Sequence, residues 1–174
     1  MKIRFQPDKE TVLRILKTSN IQKKIKILER LNGTNDKDTI RILLKILEDN
    51  SWALREKAAY KLVVYGSRVV PRLKNLCRKG HWFTRAAACI SLGEIADLNA
   101  SDTIVKLLLN DNNPTVKKEA SKALVKIVRK RPNEFSKYLE DLALDQAQIL
   151  ELLAILETTD PELYGKIKET LGHG

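Results

Sequence analysis

The sequence predicts an all-α chain whose helices pair and stack in a row, an α-solenoid. Two adjacent copies of one pattern, residues 51–62 and 81–92, carry this prediction, because their tryptophan, arginine, alanine and leucine positions recur at a constant offset of 30. A fixed period between about 20 and 50 residues is the signature of a stacked repeat. The matched pairs are Trp52 and Trp82, Arg55 and Arg85, Ala58 and Ala88, and Leu62 and Leu92.

The same pattern continues in both directions from these two copies. Related residues follow 32 positions later, in residues 114–124, and precede 31 positions earlier, in residues 21–31. Each copy contains two amphipathic helical stretches separated by a polar or glycine-bearing break, such as residues 32–35. A single helix pair cannot bury its own apolar face, so the pairs must stack on one another. The sequence therefore predicts four helix pairs, in residues 20–49, 50–79, 80–110 and 113–144.

Both ends of the predicted stack have additional helices. Residues 8–18 form an unpaired amphipathic helix, with Pro7 and Asp8 marking its start. Residues 145–174 form a last helix pair that is rich in acidic residues. A solenoid needs a polar outer face at each end to stay soluble. We therefore expect one domain over residues 1–174, with a cap helix at the N-terminus and a capping helix pair at the C-terminus.

The repeated residues resemble the HEAT-repeat family, in particular its short bacterial and archaeal form, often labelled PBS-lyase-like. In that form an acidic residue precedes a W-x-x-R motif, and A-A-x-x-L, a loop and an apolar second helix follow. Asp49 stands six residues before Arg55, as in the family, whereas the third copy has Lys79 at that place and the fourth has Lys117 instead of arginine. The resemblance covers roughly residues 20–143. It implies a right-handed solenoid whose second helices line the concave surface, where such proteins usually bind their partners.

One basic residue in each repeat is predicted to lie on the packed face of its first helix. At 100° per residue, Arg55 falls among Ala58, Ala59 and Leu62. A buried guanidinium needs acceptors, either a carboxylate or the carbonyls of a helix end. Asp49 and Asp111, six residues before the basic residue of their own repeats, are the expected acidic partners. We interpret the set as a structural ladder between repeats rather than a ligand site: Lys24, Arg55, Arg85 and Lys117.

The net charge of +10 is unevenly distributed along the chain. Residues 132–174 hold nine acids and three bases, a net charge of −6, so residues 1–131 carry +16. This asymmetry favours an anionic partner for the first part. A solvated, lysine-rich surface of the kind common in thermophile proteins explains it as well. Because basic residues occur on both helices of each pair, the charge marks no single face, but the second helices supply a candidate binding face: Arg41, Lys45, Arg68, Arg72, Arg78 and Lys106.

Three functions remain open on the sequence alone. The first is a non-catalytic scaffold or adaptor that binds a protein through its concave face. The second is a nucleic-acid-binding module that uses the basic second helices, with Trp52 and Trp82 as a base-stacking platform rather than as packing residues. The third and most remote is an alkylpurine DNA glycosylase, a class that the resemblance includes. We expect the first, with nucleic acid binding as the alternative.

Motifs for catalysis or for cofactor binding are missing from the sequence. There is no glycine-rich phosphate loop and no Ser-His-Asp arrangement with a recognisable spacing. Cys77, His81 and Cys89 make a weak metal set, and both cysteines are better interpreted as small buried apolar residues. No run approaches the roughly 20 apolar residues of a membrane span. We therefore expect no enzyme activity, cofactor, metal or membrane contact, and a cytoplasmic, monomeric protein.

Overall fold

The computed structural model describes residues 9–18, 20–31 and 37–172, and this part of the chain is built from α-helices joined by turns and two short 3-10 segments. It contains no β-strand within the described residues, so the prediction of an all-α fold is confirmed. The break predicted at residues 32–35 and the helix start at Pro7 and Asp8 lie outside the described residues. The helices are α1 (Lys9–Leu16), α2 (Ile21–Arg30), α3 (Lys37–Ile46), α4 (Trp52–Leu62), α5 (Val70–Lys79), α6 (Trp82–Ile95), α7 (Ser101–Asn110), α8 (Pro114–Lys130), α9 (Pro132–Asp141), α10 (Gln146–Thr159) and α11 (Pro161–Gly172).

Polar side chains and prolines fix where several helices begin. Asn20 accepts a hydrogen bond from the backbone N–H of Lys23 at 2.9 Å and caps α2. Asn113 caps α8 in the same way, with Pro114 in the first turn, where its missing N–H costs little. Asp145 and Gln148 form a reciprocal capping box at the start of α10. These ends therefore follow from local sequence.

The apolar pattern of the second repeat predicts a helix over residues 51–65, but α4 ends earlier, at Leu62. A 3-10 segment, Val63–Val69, follows and leads directly into α5. Inside it, Gly66 has φ 54° and ψ −143°, a conformation that no helix contains and that glycine adopts without steric cost. Two adjacent β-branched residues before it weaken the helix further. The glycine thus sets the corner at which the chain turns from α4 into α5.

The helices pack in two layers along the solenoid. We call the helices of one layer the first helices (α2, α4, α6, α8) and those of the other layer the second helices (α3, α5, α7, α9). Each first helix packs against the next one, and the α6–α8 contact is the most extensive. Each of α3, α5 and α7 also packs against the first helix that follows it. The apolar core runs continuously between the layers, where Leu62, Leu92 and Leu124 are fully buried. Such nearest-neighbour packing is the physical basis of a solenoid.

Additional helices cover both ends of this core. Helix α1 packs against α2 and α3, and Val12 is fully buried there. At the other end, α10 packs against α7 and α8, while α11 packs against α9. The side chains of Leu152, Leu156 and Ile167 extend the apolar core into these last helices. None of the described helices is both long and apolar enough to cross a membrane.

Candidate functional site

The Asp49 side chain and backbone join two successive repeats at the N-terminal half of the chain. Lys24 Nζ donates to Asp49 Oδ2 at 2.6 Å, and Arg55 Nη1 donates to the backbone oxygen of Asp49 at 2.6 Å. Asp49 Oδ1 also accepts from the backbone N–H of Ser51 at 2.9 Å, just before α4. All three bonds converge on the turn between α3 and α4. One residue therefore ties α2 to α4 through that turn.

Arg85 and Asp111 form a second connection of the same kind, with stronger geometry. Arg85 Nε and Nη2 donate to the two carboxylate oxygens of Asp111 at 2.7 and 2.8 Å, while Nη1 donates to the backbone oxygen of Gly80 at 3.0 Å. The Asp111 side chain is only 4% exposed. Burial raises the pKa of the Asp111 carboxyl, but the hydrogen bonds from Arg85 and from the backbone N–H of Asn113, together with the positive charges of Arg85 and Lys117, hold that pKa below its usual value.

The sequence spacing predicted that each carboxylate binds the basic residue six positions downstream, but the structure shows different partners. Asp49 pairs with Lys24 of α2 and Asp111 with Arg85 of α6, so each carboxylate binds the first helix that precedes it in the chain. The basic residue six positions downstream reaches a backbone carbonyl instead, as when Lys117 Nζ donates to the oxygen of Leu109 at 3.0 Å. A helix end exposes free carbonyls beside the next helix start, and this leaves the carboxylate free to face the neighbouring repeat.

Within the described residues Arg55 has no acidic partner in the following repeat, because the turn before α6 contains Lys79 and Gly80 where the turns before α4 and α8 contain Asp49 and Asp111. Its guanidinium instead lies 4.8 Å from the ring centre of Phe83 and 5.4 Å from that of Trp52. The Arg55 side chain is nearly inaccessible, and no described residue supplies a hydrogen-bond acceptor for its Nε. Burial lowers the pKa of Arg55, against the opposing effect of Asp49. Sequence reasoning did not identify Phe83 as a partner of Arg55. The available signal was its position in the repeated motif, two residues before Arg85.

Both tryptophans of the repeated motif are partly exposed, with 38% of Trp52 and 45% of Trp82 accessible. The Trp52 ring faces the Arg55 guanidinium, and the edge of Trp82 contacts Phe83 with ring centres 5.7 Å apart. Contacts with their own neighbours thus occupy part of each ring. The two free cysteines, Cys77 and Cys89, are buried, which confirms their interpretation as small apolar core residues.

The six basic residues predicted as a binding face are all exposed, but the structure divides them into separate groups. Three of them, Arg41, Lys45 and Arg72, surround a depression of about 540 Å³ between α3 and α5 that we call the α3–α5 groove. The groove is lined by Leu13, Arg41, Ile42, Leu44, Lys45, Glu48, Pro71, Arg72, Asn75 and Leu76.

A second depression, of about 350 Å³, lies between α5 and α7, and we call it the α5–α7 pocket. Arg78 and Lys106 stand at this pocket, and the Arg85–Asp111 pair forms part of its wall. Arg68 contributes to neither depression, since it belongs to the 3-10 segment that precedes α5. The predicted face is therefore two adjacent sites rather than one continuous basic surface.

Lys74 is a residue that sequence reasoning did not single out. Its Nζ donates to the backbone oxygen of Asn99 at 2.7 Å and contacts Asp102 Oδ1 at 2.6 Å, so it ties α5 to the start of α7. Burial raises the pKa of Asp102, but the hydrogen bond from Lys74 and neighbouring groups hold it below the usual value. Lys74 thus has a structural position between the two depressions.

Several basic residues of the first helices are paired with acceptors. Lys61 donates to the backbone oxygen of Leu31 at 3.0 Å, Lys122 pairs with Glu119 at 2.9 Å, and Lys126 pairs with Glu94. By contrast, Arg72, Arg78 and Lys106 make no hydrogen bond or ion pair within the described ranges 9–18, 20–31 and 37–172. Exposed basic residues without an ion pair in the described part of the chain also occur on the first helices, Lys57 and Lys118 among them, so the available positive charge is not confined to α5 and α7.

The lowered carboxyl pKa values make stability depend on pH. Asp111 and Asp160 both have a lowered pKa and therefore stabilise the fold when they are ionised. For Asp160 the main cause is the hydrogen bond from Arg129 Nε, at 2.6 Å. Their contribution is complete above the unfolded pKa of about 3.9 and is lost as the pH falls through the lower folded pKa. We expect the free energy of unfolding to drop below about pH 4, and to drop less steeply in Asp111→Asn.

Urea unfolding at a series of pH values from 6 down to 2.5 would measure this dependence, with Glu151→Gln as the control. Glu151 is exposed and makes no ion pair within the part of the chain that the structure describes. The control should follow the wild-type curve. An Asp111→Asn curve parallel to the wild type would show that this carboxyl contributes nothing to acid sensitivity.

Comparison with known proteins gives one family match. A family model described as HEAT repeats matches residues 70–157, half of the chain. The match extends beyond residue 143, where the repeats were expected to end, and includes most of α10. A search of curated proteins found no match.

Proposed function

The chain belongs to the HEAT-repeat family, and from this premise we propose that it is a non-catalytic scaffold that binds a protein through its second helices. HEAT repeats generally act as protein-interaction scaffolds. We propose that the solenoid is right-handed with four helix pairs, so that α3, α5 and α7 line its concave surface. The ladder of Lys24, Arg55, Arg85 and Lys117 then has a structural role, since it fixes each repeat against the next.

The observation that supports this proposal most is the pair of depressions between successive second helices. The α3–α5 groove combines half-buried apolar side chains with exposed basic ones, and the α5–α7 pocket lies beside it. Apolar contact area surrounded by a charged rim is the usual anatomy of a protein interface. Paired and unpaired basic residues occur on both helix layers. The two depressions, rather than the distribution of charge, therefore make the second helices the better candidate surface.

A comparison of two charge reversals tests the proposal. Arg72→Glu with Arg78→Glu changes the second-helix face, and Lys57→Glu with Lys118→Glu makes the same change on exposed lysines of α4 and α8. Proteins retained from native cell extract by the immobilised wild type should be lost with the first variant and kept with the second. Nuclease treatment of the extract should change nothing.

Two results would contradict a protein scaffold of this kind. If nuclease removed the retained material, a nucleic acid would be the partner, and binding would weaken steeply with salt, with a log–log slope of roughly 0.7–0.9 per phosphate neutralised. If both variants lost the partner equally, the second helices would not be the binding surface.

A further inference from the structure

We propose that the α3–α5 groove binds an acidic amphipathic helix of a partner protein, an inference that rests on the proposed scaffold function. The groove lies between two helices, with Leu13 of α1 as an additional wall. Helices α3 and α5 are less closely packed against each other than α5 and α7. The resulting volume of about 540 Å³ falls within the roughly 300–1,000 Å³ of typical binding sites. A third helix laid along such a groove is a common mode of peptide recognition.

Apolar surface within the groove provides the energy for binding. Leu13, Leu44 and Leu76 are half-buried, and Pro71 is exposed. Leu44 and Leu76 also pack against the core, so their positions are fixed before a partner arrives. Removing apolar surface from water contributes about 25 cal/mol per Å². The occupant must therefore present apolar side chains on one face, at i, i+3, i+4 and i+7.

Basic side chains at the rim select the charge of the occupant. Arg41 and Lys45 are 72% and 64% exposed, and Arg72 is also exposed. Arg41 is 3.7 Å from Asp38, and Lys45 pairs with Glu48, but exposed pairs of this kind are weak because solvent and salt screen both charges. A partner carboxylate can replace either of them at small cost. Helix α5 itself contains no acidic residue, so repulsion along that wall is absent.

The same lining argues against a nucleic acid as the occupant. Single-stranded nucleic acids bind through aromatic side chains on which bases stack, and none of the described residues that line this groove is aromatic. The Glu48 carboxylate at the groove is paired with Lys45 and repels a phosphate and a peptide carboxylate alike, so it does not select between them. The leucine and proline walls match apolar side chains, which a nucleic-acid backbone lacks. An acidic helix with one apolar face satisfies both the walls and the rim.

Selection from a random 16-residue peptide display library on the full chain tests this inference. Enriched peptides should be negatively charged, with apolar residues at helical spacing. Arg72→Glu should weaken their binding by about tenfold or more, the effect of losing one charged contact of about 1.4 kcal/mol. Leu13→Gln, which alters a groove residue outside the core cluster, should also weaken it. Arg78→Glu is the matched control, because it makes the same charge change on the same helix but at the α5–α7 pocket.

Charge exchange supplies a second readout that a folding defect cannot imitate. A glutamate-to-lysine change in the selected peptide should restore binding to Arg72→Glu. Peptides that are neutral or basic, or no enrichment at all, would overturn the inference. Dimerisation of the wild type in sedimentation equilibrium, if Arg72→Glu abolished it, would also overturn the inference, because a second copy of the chain would then occupy the groove. Binding of a single-stranded oligonucleotide that depends on Arg72 would overturn it as well.

The outcome also separates this inference from the scaffold proposal. If enriched peptides lose binding in Arg78→Glu but not in Arg72→Glu, the second helices still bind protein and only the groove assignment fails. If neither variant affects the peptides, both proposals fail.

Discussion

Arg85→Ala is expected to lower the free energy of unfolding by about 3 kcal/mol, the usual effect of removing one partner from a buried ion pair. The substitution leaves the Asp111 carboxylate, 4% exposed, without its two guanidinium hydrogen bonds. Among the described residues, the backbone N–H of Asn113 is then the one remaining donor to this carboxylate, at 2.9 Å. The substitution also removes the hydrogen bond from Arg85 Nη1 to the backbone oxygen of Gly80, which connects α6 to the end of α5. Denaturant unfolding of purified protein at neutral pH measures the change.

Two further variants serve as controls for this prediction. Arg55→Ala should cost less, about 1–2 kcal/mol, because it leaves a backbone carbonyl and two aromatic rings unpartnered rather than a carboxylate. Adding Asp111→Ala to Arg85→Ala should recover part of the lost stability, since no buried charge then remains unpaired. Equal destabilisation by Arg55→Ala and Arg85→Ala would contradict the view that the acid of the next repeat strengthens the ladder.

The repeat and the helices are predictable from sequence because both are local in origin. The 30-residue recurrence of arginine and leucine, the helical spacing of apolar residues, and caps such as Asn113 and Asp145 all act within one or two turns. The boundary at Leu62 was not predicted, since an apolar stretch through Tyr65 has the same helical period and only Gly66 interrupts it. A glycine allows a left-handed residue but does not require one.

The partners of the ladder and the shape of the binding face were beyond sequence reasoning for a different reason. The spacing between Asp111 and Lys117 suggests a pair within one repeat, but the stacking brings Asp111 closer to Arg85, 26 residues earlier. Likewise, the six basic residues were assigned to one helix layer from sequence, whereas the separation of α3, α5 and α7 divides five of them between two depressions and leaves Arg68 outside both. Both features arise from distances between repeats, which a repeat pattern leaves undefined.

Gly93→Ala is expected to destabilise the protein by about 2 kcal/mol, although alanine is the better helix former by roughly 1 kcal/mol. Gly93 lies inside α6, where a Cβ would stand 2.7 Å from the Ala123 Cα and 2.9 Å from its Cβ. These are atoms of α8 close to its backbone, so no flexible side chain can move aside. To make room, α6 and α8 must separate along the most extensive contact between first helices. Thermal and denaturant unfolding both report this loss.

Gly165→Ala provides the control with the opposite sign. Gly165 is inside α11, and nothing lies within 4 Å of the position its Cβ would take. Alanine should therefore stabilise the protein there by roughly 0.4–1 kcal/mol, through the reduced freedom of the unfolded chain. Because the two substitutions are chemically identical, opposite signs of their changes in the free energy of unfolding would attribute the loss at Gly93 to the α6–α8 packing. If Gly93→Ala were as stable as Gly165→Ala, the first helices would not be held at the close approach that the repeat stack requires.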